Sequence, residues 1–234
     1  MNLSSDLKPK CFTSKINEIT FRADELKITS SDLSIQISGR KGSLPPELEE
    51  IAATMLKTIG KYEIFVGFII YNATLTDAKL QVEQEIMSVG NTVNDLLSGV
   101  EQVAIFACTV EKKLDEFIRS ITDPVDLYLA DVIGTLLIEK SLKKLKEHLK
   151  SLRFKLHTNL TNTICPGNCG WDIMEQNKLF RLLPESFLGI SINEYGMMNP
   201  VKSINGIVGM GEQVHYRKTN CKSCDSRNCW YRKA

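Results

Sequence analysis

The stretch CPGNCGWDIMEQNKLFRLLPESFLGISINEYGMMNPVKSINGIVGMG, Cys165–Gly211, decides how this chain is read. Pro166-Gly167 marks a tight turn, because proline presets the first corner and glycine accepts the second. Asp172 followed by Glu175 is the carboxylate form of a capping box. It opens a predicted helix whose core face is Leu179, Phe180, Leu182 and Leu183, and Pro184 stops it. Phe187–Glu194 then predicts a strand, Met197-Met198-Asn199-Pro200 a turn, and Val201–Met210 a second strand ending in glycines.

Upstream, strands and helices mix without strict βαβ alternation. Ile16, Ile19 and Phe21 alternate, and Leu33, Ile35 and Ile37 in LSIQISG give a period-two signal that predicts a strand up to Gly39. Ser43-Leu44-Pro45-Pro46 opens a helix to Gly60, with Glu47, Glu49 and Glu50 at its positive end. Tyr62–Asn72 and Val100–Val110 predict buried strands, with Cys108 as a packed core residue. Residues 79–89 fit either a helix or an edge strand, with strand preferred, and Asn91–Leu97 predicts a short helix capped by Asn91. Glu111–Ile121 predicts a helix, and Asp123-Pro124 starts a long one to about Leu152. Residues 155–164 alternate and predict the strand that enters the Pro-Gly turn. The expectation is an α+β domain with a curved, largely antiparallel, twisted sheet and flanking helices. It covers residues 16–211, between a loose terminus (1–15) and a basic, cysteine-bearing tail (212–234).

The 234 residues carry a net charge near +1, so no global basic field invites nucleic acid. No apolar run is long enough to span a bilayer, and the N-terminus has no signal-peptide pattern, which predicts a cytoplasmic protein. The second half of the long helix is basic, with Lys140, Lys143, Lys144, Lys146, Lys150, Arg153 and Lys155 against Glu139 and Glu147. That face is either solvated surface or a docking patch for an acidic partner such as a flavodoxin or ferredoxin. His157 reads as structural or solvated. No P-loop, dinucleotide fingerprint or local nucleophile–base pairing is present.

Ile173-Met174-Glu175-Gln176, Leu188-Gly189-Ile190-Ser191-Ile192-Asn193-Glu194 and Met197-Met198-Asn199-Pro200-Val201-Lys202-Ser203-Ile204-Asn205-Gly206-Ile207 together resemble the reactivation (activation) domain of vitamin B12-dependent methionine synthase, in its stand-alone form. Val103–Thr109 with the Leu114–Ile118 helix, and Asp126–Glu139, support the resemblance, which spans roughly residues 15–211. It implies a helmet-like α+β fold that binds S-adenosylmethionine in a shallow groove. The fold would present the methyl group to cobalamin carried by a corrinoid-binding methyltransferase subunit. The cobalt is the nucleophile, so the domain supplies orientation rather than a general base. On this resemblance the ligand residues are Thr163, Cys165, Pro166, Gly167, Asn168 and Glu194. Thr163 and Asn168 stand where the family has arginine and tyrosine, so the charged partner for a carboxylate is replaced by neutral hydrogen-bonding groups.

Five of the seven cysteines lie from residue 165 onward: Cys165, Cys169, Cys221, Cys224 and Cys229. The C-x2-C-x4-C spacing of the last three lets thiolates share one metal, with Cys165, Cys169 or His215 completing the set. A reduced tail, a structural zinc and a [4Fe-4S] cluster are all compatible with this pattern. Three functions therefore stand side by side: a reactivation subunit using S-adenosylmethionine, an iron–sulfur redox accessory on the same fold, and a non-catalytic module that binds a corrinoid protein.

Overall fold

The computed structural model describes residues 15–156 and 158–217. His157, Cys221, Cys224 and Cys229 lie outside the described residues, as do the side chains of Arg153 and Lys155. In chain order the elements are β1 (Asn17–Arg22), α1 (Ser30–Ser38), α2 (Pro46–Ile59), β2 (Glu63–Asn72), β3 (Thr74–Thr76), β4 (Lys79–Val82), β5 (Glu85–Ser88) and α3 (Gly90–Leu96). They continue with β6 (Gln102–Val110), α4 (Lys112–Ser120), α5 (Pro124–Leu156), β7 (Asn159–Ile164), α6 (Gln176–Arg181), β8 (Ser191–Ile192), β9 (Met198–Asn199) and β10 (Ser203–Gly211).

A five-stranded antiparallel sheet, ordered β1-β2-β6-β10-β7, divides the molecule. Its central strand β6 is apolar at nearly every position because both faces are covered. Ala104, Phe106, Cys108 and Val110 face one core, with Ile64, Val66 and Phe68 of β2 and the buried stripe of α5. Val103, Ile105 and Ala107 face a second core, formed with the β3-β4-β5 sheet, α3, α6 and Trp171. The period of two along β6 thus serves two cores from one strand. Burial pushes the Cys108 thiol far above its ordinary range, as suits a packed, inert side chain.

Several local expectations are corrected. Residues 30–38 form α1, not a strand. Thr29 accepts a hydrogen bond from Asp32 N, and the Asp32 carboxylate takes Thr29 N and Oγ1, closing a capping box. Gly39, at φ 71°, ends the helix with its N–H on Ile35 O. The Leu33-Ile35-Ile37 alternation is coincidental: Leu33 and Ile37 lie four apart on the inner face, while Ile35 is exposed. α3 starts at Gly90 after Val89, so Asn91 is not its cap. The long helix runs past Leu152 to Leu156, so the following strand begins only at Asn159.

Phe187–Glu194 is likewise not one strand. Ser186, Leu188 and Gly189 all take left-handed backbone, at φ 53°, 54° and 72°, which breaks an extended run and leaves only Ser191–Ile192 paired. The cause is tertiary: the buried Phe187 ring plugs the space over Gly67, where any Cβ would overlap it.

Candidate functional site

β7 is the edge strand that leads into the Pro-Gly turn. Thr163 lies half-buried opposite Val208 of β10, Ile164 turns into the second core, and Cys165 is 7% exposed. Asn168 N donates to Cys165 O at 3.1 Å, and Gly167 takes φ 86°, so Cys165-Pro166-Gly167-Asn168 is a turn that needs glycine at its third position. Gly167 N donates to Trp171 O (2.8 Å) and Trp171 N to Asn168 O (3.0 Å), closing residues 165–171 into a compact loop. Trp171 drives its ring into the second core and anchors that loop.

The two loop cysteines differ sharply. Burial, with the charge of Cys169 added, pushes the Cys165 thiol up to about 12. Its sulfur lies against the backbone of Gly206 in β10. Cys169 is half-buried and held in left-handed backbone at φ 54°. Among the described residues no group of three or more His, Cys, Asp or Glu side chains could hold a metal.

Asp172 caps the next turn, accepting from Met174 N at 2.8 Å. Glu175 does not close the box, because its carboxylate pairs with Lys178 at 2.9 Å. The 3-10 turn Ile173–Glu175 leads into α6 and leaves Ile173 and Met174 exposed. Gln176, 2% exposed, donates through its side chain to Gly196 O, and its own carbonyl accepts from Asn205 of β10 at 3.2 Å. That amide pins the Asn193–Met197 turn to the sheet. Asn193 Oδ1 closes the turn by accepting from Tyr195 N (3.0 Å) and Met197 N (2.9 Å). The result is a shelf on which Ile173, Met174, Tyr195, Met197 and Val201 stay exposed.

Beyond the shelf, Asp115 of α4 accepts from Val201 N (3.0 Å) and pairs with Arg119 (2.8 Å), which reaches Asn199 Oδ1 at 3.4 Å. Lys202 pairs with Asp131 (2.7 Å) and donates to Thr135 (3.0 Å) on α5. The Met-Met-Asn-Pro-Val-Lys segment is therefore bolted to two helices. The pinning roles of Asp115, Gln176 and Asn193 escape a reading of sequence, because each looks like an ordinary polar residue of a helix or turn. For Asp115 and Gln176 the signal that could have flagged them is a polar residue at a position where the helical period calls for burial.

Two shallow clefts flank β8. One, of about 490 Å³, is lined by Asn177, Phe180, Arg181, Glu185, Asn193 and Glu194, among others. The other, of about 370 Å³, includes Arg119, Met197, Asn199 and Val201. Glu194 thus lines a cleft, but neither cleft is lined by Thr163, Cys165, Pro166, Gly167 or Asn168. Those residues sit across the Ile173–Glu175 turn, with Gly167 packed on Ile173. Arg181, the guanidinium of the first cleft, is held bidentate by Glu85 of β5 at 2.7 and 2.9 Å. A larger cavity, about 560 Å³, opens elsewhere, between Asp95, Gly99, Glu212, His215 and Arg217. Its mixed charges make it the weaker candidate, and His215 lies there.

No protein-family profile matches the chain, and no curated protein matches it significantly in sequence. Among solved structures, the MetH reactivation domain bound to AdoHcy superposes with a TM-score of 0.63, covering 87% of this chain and 81% of that one at 12% identity. In fold, then, the chain is similar to the MetH reactivation domain.

Proposed function

We propose that the chain is an accessory module that reactivates a corrinoid-dependent methyltransferase such as methionine synthase, presenting S-adenosylmethionine for reductive methylation of cobalamin on a partner. The observation that carries this reading is the shared fold over 87% of the chain with a reactivation domain solved with AdoHcy. The exposed apolar shelf of Met174, Tyr195 and Met197 beside the clefts supports it as a docking face. The methyl donor supplies the methyl group when bound; this chain's residues bind and orient it. Thr163 and Asn168 offer neutral hydrogen-bonding groups, and Glu194 offers a carboxylate for hydroxyls or an amino group. No cation stands among residues 163–168 to pair the ligand's carboxylate. Arg181 is engaged by Glu85, so the fit is good for the neutral groups and poor for the carboxylate.

Losing one charge-assisted pair weakens binding by about 2 kcal/mol, roughly thirtyfold. Calorimetry with S-adenosylmethionine therefore expects saturable binding in the high-micromolar to millimolar range. The double substitution Thr163→Arg with Asn168→Tyr is expected to tighten it at least tenfold. No binding by either protein at millimolar ligand would remove S-adenosylmethionine from the reading. A complex with a corrinoid-binding fragment would then leave the non-catalytic docking role, and absence of that complex as well would end both. For the reduction step the exposed Lys143, Lys144 and Lys150 of α5 supply a basic face for an acidic flavodoxin or ferredoxin. Association with such a donor should weaken steeply with salt, and salt-independent association would exclude that face.

A further inference from the structure

We infer that β1 is a self-association edge: two copies of the chain pair antiparallel along Asn17–Arg22, with Thr20 on the twofold axis, and join their sheets into one. The inference does not depend on the reactivation reading.

The first support is the state of that edge. Among the described residues β1 pairs with β2 alone, in a register unbroken from Asn17 to Arg22. Ala23 N donates to Tyr62 O at 2.9 Å, where that register continues. Alternation along an antiparallel ladder then turns the main-chain groups of the odd-numbered residues toward β2, and those of Glu18, Thr20 and Arg22 outward. Arg22 N confirms the phase, because it donates to the Glu25 carboxylate at 3.1 Å rather than to β2. The outward groups of Glu18 and Thr20 meet no such cap among the described residues. Edge strands that stay single commonly carry proline, lysine, glycine or a bulge, and the sequence NEITFR has none of these. The other edge of the sheet is blunted. The register of β7 with β10 shifts between Val208 and Met210, and Arg217 N donates to the Asn162 side chain at 3.3 Å.

The second support is that the strand complements itself, which commits the edge to a second copy. Residues opposite each other in an antiparallel pair share a face. An axis at Thr20 sets Glu18 opposite the partner's Arg22 on the exposed face, and Ile19 opposite the partner's Phe21 on the half-buried face. These are an opposite-charge pair and an aromatic–β-branched pair, both favourable across strands. An axis at Glu18 or at Arg22 would oppose like charges. An axis at Ile19 would set Arg22 against Ile16, and one at Phe21 would set Glu18 against Asp24. The charge pattern therefore selects Thr20. The Thr20 pair exchanges both main-chain bonds, and each end keeps the bond from Glu18 N to the partner's Arg22 O. Arg22 also holds Asp24 at 2.8 Å, yet its side chain is 58% exposed and keeps Nη1 for Glu18. A strand of 6 residues supplies only part of the about 1,200–2,000 Å² of a standard stable interface, so the association is concentration-dependent.

The test is sedimentation of the full chain from about 10 μM to about 1 mM. The average mass is expected to rise from 26.3 kDa toward twice that value, and a mass that stays at 26.3 kDa overturns the proposal. Thr20→Pro removes the N–H at the axis and leaves the β1–β2 ladder whole, so it should weaken association at least tenfold with an unchanged thermal melt. Undiminished association in a folded Thr20→Pro protein overturns the proposal. Glu18→Arg should weaken association at low salt, and adding Arg22→Glu to the same chain should restore it; association insensitive to both overturns the register. Amide exchange on the unsubstituted protein gives a readout free of folding effects: protection at Thr20 should rise with protein concentration. Protection that does not depend on concentration means that the edge is covered within one chain, and no protection at any concentration means that it stays open. Either result overturns the proposal.

Discussion

Replacing Asp115 with alanine separates the Met-Met-Asn-Pro-Val-Lys segment from α4. The Asp115 side chain is 7% exposed; one oxygen accepts from Val201 N at 3.0 Å and the other from Arg119 at 2.8 Å. A hydrogen bond to a buried charged acceptor is worth about 1.5–3 kcal/mol. The Arg119 arm is more than half exposed and adds at most about 1 kcal/mol. Removing the carboxylate also relieves its own desolvation, so the net cost expected for Asp115→Ala is about 2 kcal/mol. Asp115→Asn keeps an acceptor for Val201 N and gives up only the ionic arm, so it should cost no more than about 1 kcal/mol. Both losses are small against the about 5–15 kcal/mol typical of a domain, so both variants should fold. Urea unfolding with an unchanged m-value measures the cost, and amide exchange at Val201 reads the local effect. Asp115→Ala within about 0.5 kcal/mol of the parent, or undiminished protection at Val201, would refute the reasoning.

Phe187→Ala should destabilise by about 3–5 kcal/mol, because it empties the space over Gly67 that the ring fills; a loss below about 1 kcal/mol in thermal unfolding would contradict that packing. Gly206→Ala should leave little folded protein, since the new Cβ would overlap the Ile164 carbonyl and crowd Cys165 and Phe106; a native-like circular dichroism melt would disprove the close approach of β10 to β7. Burial raises the Asp32 carboxyl, but hydrogen bonds from Lys140 and Thr29 outweigh it and bring the pKa down to about 2. A depressed acid stabilises above its unfolded pKa and loses that contribution as pH falls from about 4 to about 2. After solvent screening the effect is at most about 1 kcal/mol, and Lys140→Met should flatten this part of the stability–pH curve; an unchanged curve would count against the pair.

The Pro-Gly turn, the capped start after Asp172, the long amphipathic helix and the two-faced strand β6 were legible in sequence. Each depends on local φ/ψ preference or on a periodicity visible within one segment. α1 was misread because its alternating Leu33, Ile35 and Ile37 carry a strand signature that outweighed the adjacent Thr29–Asp32 capping box, while the Lys140 contact from α5 comes from far along the chain. Phe187–Glu194 was misread because the left-handed corner at Ser186–Gly189 follows from how Phe187 meets Gly67 of β2, far away in the chain. The candidate ligand residues were placed by pattern in one cradle, yet Glu194 and the Thr163–Asn168 loop line different sides of the Ile173–Glu175 turn.

By itself, the sequence determined which segments are helix or strand where patterning and turn chemistry agree, that the sheet is antiparallel in an α+β arrangement, and that five cysteines gather late in the chain. Only the tertiary structure decided that Cys165 is a core residue while Cys169 sits at a rim, that Gln176 and Asp115 pin the loops around the clefts, and that Arg217 returns to the edge of β7. Those outcomes rest on contacts between residues far apart in the chain, whose distances no local pattern encodes.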